Sequence, residues 1–340
     1  MTDFQLRLHI NPNIQPVQQP IRRTPFHTKQ KIEDEINRLQ SLDIIEKVNG
    51  PTTWLNPVVA VPKSNGRIRL CLDMREANKA ITRERHIIPK LEDILTELSG
   101  ATYFTKLDLT EGYHQIELEE ESRHITTFAT HLGPFRYKRL IFGISCAFES
   151  FQKQIEMVIS DCRKTKNISD DILIWGNTLE EHNANLENAL SKLSAKNLKI
   201  NLGKCIFAAP SLTFNGHVFS SNDITPDPAK VNSIKNLPAP TNVSEVKSLL
   251  GMVNFCNRYV PNYSTLTEPI RRLTKKDTPF IWSEEQQSSL NTLKQKLTNA
   301  PTLTFYNPEA DTKLYVDASP CGLGAILAQK QKDNSYQPIA

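Results

Sequence analysis

Apolar residues recur along this chain with two periods, and each period predicts an element. Ile32, Ile36 and Leu39 stand at helical spacing and predict a helix over Lys29 to Leu42. Residues 1–27 carry Pro12, Pro16, Pro20 and Pro25 with almost no helical period, so an extended arm is expected. NPVVAVPKSNGRIRLCLD, Asn56 to Asp73, reads as two β-rich runs around a turn at Ser64 to Gly66. In YFTKLDL, Tyr103, Thr105, Leu107 and Leu109 face one way, and Phe104, Lys106 and Asp108 the other. TEGYHQI breaks that strand. Phe148, Phe151, Ile155, Val158 and Ile159 then predict a helix. Ile172 to Trp175 is a continuous apolar run and predicts a strand buried on both faces. Thr178 and Glu181 fit a capping box before an amphipathic helix through Leu186, Leu190 and Leu193. LPAPTN, Leu237 to Asn242, leads into a helix capped near Asn242 with Val246, Leu249, Leu250 and Val253 on one face. A further helix starts at Ser283, where Gln286 repeats the capping pattern. KLYVDASPCGLGAILAQ closes the chain as strand, turn and strand.

Composition narrows the class. With 340 residues, 39% hydrophobic and 23% charged, the chain is ordinarily globular and long enough for two or three structural units. The net charge of +4 permits nucleic-acid binding only through local patches. Arg22 with Arg23, RKTK at Arg163 to Lys166 and RRLTKK at Arg271 to Lys276 are candidates, although any one such run alone reads as a solvated face. Cys71, Cys146, Cys162, Cys205, Cys256 and Cys321 form no CxxC pair, which argues against a zinc knuckle or a redox motif and fits a reducing compartment. MTDFQLRLHI lacks the apolar core of a signal peptide, and no apolar run approaches transmembrane length.

The stretch NISDDILIWG holds the chemistry. Adjacent carboxylates before an apolar run are commonly turn residues. A tight turn at Ser169 to Asp171 also lets Asp170 and Asp171 contribute to one site, where a flat strand would point them apart. Asp108, between Leu107 and Leu109, is the best third carboxylate, because an unpaired acid there is costly. Clustered carboxylates repel, and Mg²⁺, a hard cation that takes oxygen ligands, removes that penalty. Two ions about 4 Å apart serve phosphoryl displacement. These residue types alone leave polymerase and nuclease both open.

FTKLDLTEGYHQIEL, FGISCAFESFQ and NISDDILIWG resemble successive motifs of a reverse transcriptase, and VVAVPKSNGRIRLCLDMREAN resembles its fingers segment. KCIFAAPSLTFNGHVFS, ITPDPAKVNSIKNLPAPTNVSEVKSLLGMVNFCNRYVPNYS and LYVDASPCGLGAILAQ are similar to the pol polyprotein of gypsy-like LTR retrotransposons. The order matches, from about Asp3 to the C-terminus. The resemblance implies an α+β right-hand polymerase with an antiparallel palm sheet and an incomplete ribonuclease H-like unit. Its segments would be an N-terminal arm (1–27), fingers and palm (28–225), thumb helices (226–276), a connecting helix (277–312) and the start of the ribonuclease H-like domain (313–340). It implies that Asp108, Asp170 and Asp171 are catalytic and bind two Mg²⁺ ions, for which Mn²⁺ can substitute, with the Leu109 carbonyl as an extra ligand. Lys63 and Arg69 match positions that close on the triphosphate. Tyr113 matches the aromatic under the incoming sugar, and Phe142 and Gly143 the segment beside the nucleotide. Arg75 matches a position that supports the fingers. The implied partners are an RNA or DNA template with primer, deoxynucleoside triphosphates and other pol-derived domains, with no membrane. The implied place is a cytoplasmic virus-like particle or the nucleus.

The chain also departs from the pattern. Ile168-Ser169 replaces the commoner Tyr-x before Asp-Asp, which puts the tyrosine's contact with the primer end in doubt. Ile141 stands where Pro or Asn is frequent, and Phe148 where Pro is. Asn215 stands where Leu is usual, and is expected to put a polar amide in a packed spot. Asp317 matches the first ribonuclease H carboxylate, and Asp333 is the sole acid after it, so no RNA-strand degradation is expected and the chain reads as an internal fragment of pol. The Ile168-Ser169 version is shared by some gypsy-like branches. The Ile141, Phe148 and Asn215 departures and the truncated C-terminus favour a second reading, a degenerate fragment that binds primer–template duplexes without turnover, whereas the intact Asp108, Asp170 and Asp171 favour the polymerase. A metal nuclease would leave the fingers residues and Tyr113 unexplained.

Overall fold

The computed structural model describes residues 1–340 apart from 23, 24, 64, 65, 90, 222, 300–302, 308, 320, 321, 332, 333 and 340, and apart from the side chains of 91, 92, 319 and 322. Arg23, the turn residues Ser64 and Asn65, Cys321 and Asp333 therefore lie outside the described residues. Two compact units share the chain. The first is 1–89, 107–173 and 184–205; the second is 90–106, 174–183 and 206–340.

In the first unit the proline-rich arm is tied to other segments by backbone bonds. Gln5–Leu6 pairs in parallel with Glu117–Leu118, Leu8 N–H donates to the Ser122 hydroxyl (2.8 Å), and Asn11 N–H donates to Ala80 C=O (2.7 Å). The first helix, Phe26–Ser41, begins earlier than its apolar period predicts. Pro25 supplies the reason: its fixed φ of −57° suits a helix start, and its carbonyl accepts from both the backbone and the hydroxyl of Thr28. Val58–Pro62 and Ile68–Leu72 form the expected hairpin, with Val61 opposite Arg69. Helix Arg75–Ala80 follows directly. Helix Ala147–Ile159 buries Phe151, Ile155 and Ile159, and Glu149, Gln152 and Gln154 with them.

The central sheet has four strands in the order Ile206–Ala209, Tyr103–Asp108, Asp171–Gly176, Thr165–Ile168. Thr102 N–H donates to Gly176 C=O and Leu109 N–H to Asp170 C=O, so the two middle strands run antiparallel. Ile172, Leu173, Ile174 and Trp175 are all buried, as a continuous apolar run in an inner strand requires.

In the second unit, Ser211–Phe214 and His217–Ser220 pair through a two-residue turn, Asn215–Gly216. Both turn residues have positive φ, +45° and +76°, the signature of a primed hairpin turn. Asn215 is exposed there, so the expected polar amide in a packed spot is not found: Asn stands at 215 because it tolerates left-handed backbone. Helix Val243–Asn254 is capped by Asn242, whose side chain accepts from Glu245 N–H, and buries Val246, Leu249 and Val253. Helix Glu284–Thr298 starts with a capping box of Ser283 and Gln286. A last sheet, Thr312–Ser319, Gly322–Lys330 and Tyr336–Pro338, leaves Val316 73% and Leu323 85% exposed. Among the described residues no helix is long and apolar enough to cross a membrane.

Candidate active site

Asp108 ends its strand at the point where the chain turns, and its backbone carbonyl accepts from Asn201 N–H (2.8 Å). Leu109, the next residue, is buried and donates its N–H to Asp170 C=O at 3.0 Å. That one backbone bond sets the Asp108 strand end beside the Asp170 turn. Ile168 ends one strand and Asp171 begins the next, so Ser169 and Asp170 make the whole connection. Ser169 adopts a φ of +56°, which costs a non-glycine residue about 1 kcal/mol or more. Its hydroxyl donates to Asp170 Oδ1 (3.2 Å).

Electrostatics tie the three acids together. Burial pushes the Asp170 carboxyl above the usual carboxylate range; the charges of Asp108 and Asp171 push it further, against the pull of the Ser169 hydroxyl and Lys204. Lys204 sets its ammonium 3.5 Å from Asp108 Oδ2. Among the described residues no group of three or more His, Cys, Asp or Glu stands close enough, as the side chains lie, to hold a metal ion. The donor chemistry nevertheless fits a hard divalent cation: only oxygen donors, one of them raised by burial and like charge, with the Lys204 ammonium beside Asp108.

The aromatic residues sit beside these acids. Tyr113, on a short 3₁₀ turn at Gly112–Gln115, packs edge-on against Phe142 (4.4 Å between ring centres) and against Phe151 (5.1 Å). Burial pushes its phenol up to about 12, and the Asp170 charge adds to that shift. Phe142 is 44% exposed, and the Arg69 guanidinium lies 5.1 Å from its ring centre, a cation–π contact. Gly143 has a φ of +96° and fits under Leu72 C=O and the Met74 side chain. The Asn78 amide holds this loop at both ends, donating to Gly143 C=O (2.7 Å) and accepting from Ser145 N–H (2.9 Å). Arg75 and Arg22 both clamp Asp73, at 2.7 and 2.8 Å.

Asp108, Leu109, Asp170, Asp171, Tyr113, Phe142, Gly143 and Arg69 thus share one region of the first unit. Lys63 stands just past the hairpin strand, where its backbone pairs with Arg67 and Gly66. Asp317 belongs to the second unit, exposed, opposite Gly324 in the last sheet. The sequence reading missed Gly112, Lys204 and Asn78. Gly112 carried a signal, a glycine four residues after the candidate acid; Lys204 and Asn78 carried none, because their contacts span many residues.

Residues 61–219 match the family described as reverse transcriptase (RNA-dependent DNA polymerase), and residues 282–340 the RNase H-like domain found in reverse transcriptase. The Transposon Tf2-3 polyprotein of Schizosaccharomyces pombe (strain 972 / ATCC 24843) is 32% identical over 324 residues, which is 94% of this chain and 24% of that protein. The Tf2-7 polyprotein of the same organism matches equally in identity and coverage. The chain spans about a quarter of the length of these relatives. Among solved structures, the foamy viral protease-reverse transcriptase dRH in complex with ds DNA gives a TM-score of 0.89 at 23% identity, over 99% of this chain and 59% of that one. The foamy viral protease-reverse transcriptase in complex with RNA/DNA hybrid gives 0.83 at 23% identity, over 98% and 45%. The α+β right-hand polymerase architecture implied by the motifs is therefore the fold of this chain. By motif order and family match, residues 61–219 carry a reverse transcriptase domain and residues 282–340 an RNase H-like one, and over 94% of its length the chain is similar to the Tf2 transposon polyproteins.

Proposed function

We propose that this chain is an RNA-directed DNA polymerase that extends a primer on an RNA or DNA template. The observation that carries the reading is the two-residue Asp170 turn set beside the Asp108 strand end by the Leu109 N–H bond to Asp170 C=O (3.0 Å), where burial and the charges of Asp108 and Asp171 oppose the Asp170 charge, beside a buried tyrosine and an exposed phenylalanine. Asp108, Asp170 and Asp171 are the catalytic carboxylates, and with the Leu109 carbonyl they would hold two Mg²⁺ ions, or Mn²⁺ in their place. Bound there, the ions would supply Lewis acidity toward the primer hydroxyl and charge neutralisation for the departing pyrophosphate. The residues of the chain do the rest. Asp170, whose charge burial and the neighbouring acids oppose, gains from a cation. Tyr113, backed by Phe151, presents a wall against a ribose 2′-hydroxyl. Arg69 is free to exchange the Phe142 ring face for triphosphate oxygens, and Lys63 adds a second positive charge. Phe142 and Gly143 line the nucleotide.

The segments keep the division read from the motifs: arm 1–27, fingers and palm 28–225, thumb 226–276, connecting helix 277–312, and ribonuclease H-like start 313–340. Template and primer are held through backbone and duplex shape, so sequence preference is weak. Work in a cytoplasmic virus-like particle fits such a reaction. The test is primer extension on an RNA template with deoxynucleotides and Mg²⁺, beside Asp170→Asn. Extension that vanishes in the variant supports the polymerase. Duplex binding without extension by the parent chain supports the degenerate fragment instead.

A further inference from the structure

Helix Ala147–Ile159 places a glutamine, Gln152, with no solvent exposure behind the Asp170 turn. Its amide makes three bonds. Oε1 accepts from Ser169 N–H (2.8 Å); Nε2 donates to Asn167 C=O (2.8 Å) and to Glu156 Oε1 (2.8 Å). The partners fix the orientation of the amide without ambiguity. A backbone N–H requires the oxygen, and a carbonyl with a carboxylate requires the nitrogen. Two of the bonds straddle Ile168 and end on both sides of it, at Asn167 and at the left-handed Ser169. Ser169 in turn bonds Asp170 Oδ1. On the outer side, the second oxygen of Glu156 lies 2.6 Å from His86 Nε2.

We propose that Gln152 is a positioning residue for the Asp170–Asp171 turn, and that the Glu156–His86 pair fixes the direction of its amide. The proposal rests on the assignment of Asp170 and Asp171 as catalytic. The position needs one acceptor and two donors in a single planar group at this reach. Glutamate offers no donor to the Asn167 carbonyl, asparagine is one methylene short, and an apolar residue leaves both turn groups unpaired. The Ser169 conformation is unfavourable by itself, so the turn holds it through contacts such as this one. Gln152 therefore acts on the reaction through the direction of the Asp170 carboxylate, with no contact of its own to nucleotide or primer.

The test uses the 340-residue chain with Gln152→Ala, Glu156→Ala and Asp170→Asn. Amide hydrogen exchange is followed at Ser169 and at Ile172 to Trp175, and single-turnover extension is followed against deoxynucleotide concentration. In Gln152→Ala, Ser169 is expected to exchange about tenfold faster or more while Ile172 to Trp175 stay protected; the maximal rate falls about tenfold or more and nucleotide half-saturation moves less than roughly twofold. Glu156→Ala, altered at a partly exposed side chain, shifts both readings the same way by about threefold. A merely structural loss would instead expose Ile172 to Trp175 and lower the active fraction without separating rate from half-saturation. If Gln152→Ala unfolds, Glu156→Ala decides. Parent-like exchange at Ser169 and parent-like rate in the folded variants overturn the proposal. Extension that persists in Asp170→Asn, or is absent from the parent, strikes the polymerase reading instead, and the Ser169 exchange still reads the clamp.

Discussion

Gly112 has no room for a side chain. A Cβ there would stand 2.9 Å from Phe151 Cζ and 3.0 Å from Asp170 Oδ1. Gly112→Ala should push one of them aside, lowering the extension rate about tenfold or more while duplex affinity is unchanged. Single-turnover kinetics and fluorescence anisotropy check the pair, and a parent-like rate would mean Asp170 need not hold its present place. Tyr113 makes a second prediction. Tyr113→Ala should raise ribonucleotide use relative to deoxynucleotide use by roughly ten- to a hundredfold, read by competition in one extension assay. At this scale the acids were legible because a charge beside apolar residues is conspicuous in a sequence. Lys204 was not, since its 3.5 Å approach to Asp108 bridges residues distant along the chain and leaves no local pattern.

Between residue and molecule, small elements carry the loops proposed to face the nucleotide. Helix Arg75–Ala80 holds the Gly143–Ser145 loop through one amide, that of Asn78. Asn78→Ala should raise the deoxynucleotide half-saturation about tenfold with a smaller change in maximal rate, because Phe142 and Gly143 lose their frame while the acids keep theirs. Just before this helix, Arg75 first, and then Arg22 from the arm, hold the Asp73 carboxyl down at about 2, against an ordinary 3.8. A depressed acid stabilises the fold fully above its unfolded pKa, and that contribution is lost as pH falls through the folded value. Melting temperature should therefore drop between about pH 4 and pH 2, and drop less in Asp73→Asn, as calorimetry across that range can show. Element by element, the apolar period located helix Ala147–Ile159 but not its work. Gln152 lies on the buried face with Phe151 and Ile155, and an apolar template has no place for a buried amide whose partners come from another strand. The Asn215–Gly216 turn was misread for the opposite reason: a family position was weighed above local turn chemistry.

Over the whole chain, the charge of +4 is too small to grip a duplex without patches, and some basic positions are already engaged. Arg22 is bound to Asp73, and Arg272 to Glu268 and Glu285. Duplex affinity should still fall at least about tenfold between about 50 and 200 mM salt, since phosphate contacts dominate such binding. A titration that is flat in salt would argue against backbone-led recognition. The motifs along the chain gave consecutive segments, whereas the compact units interleave, because Tyr103–Asp108 and Asp171–Gly176 each run from one unit into the other. Contacts, not sequence order, define such units, which is why no linker marks the boundary.

The open face of the last sheet bears on how any of these melts is recorded. Leu314, Val316, Leu323 and Ile326 are exposed in the native state. Environment-sensitive dyes such as anilinonaphthalene sulfonate report accessible apolar surface, so this chain should be bright with dye before heating begins. A dye-based thermal shift would then open on a high baseline and understate the transition. Trp54 and Trp175, each 1% exposed and one in each unit, offer the cleaner reporter once the half-buried Trp282 is replaced by Phe: their emission should stay blue until the surrounding core opens.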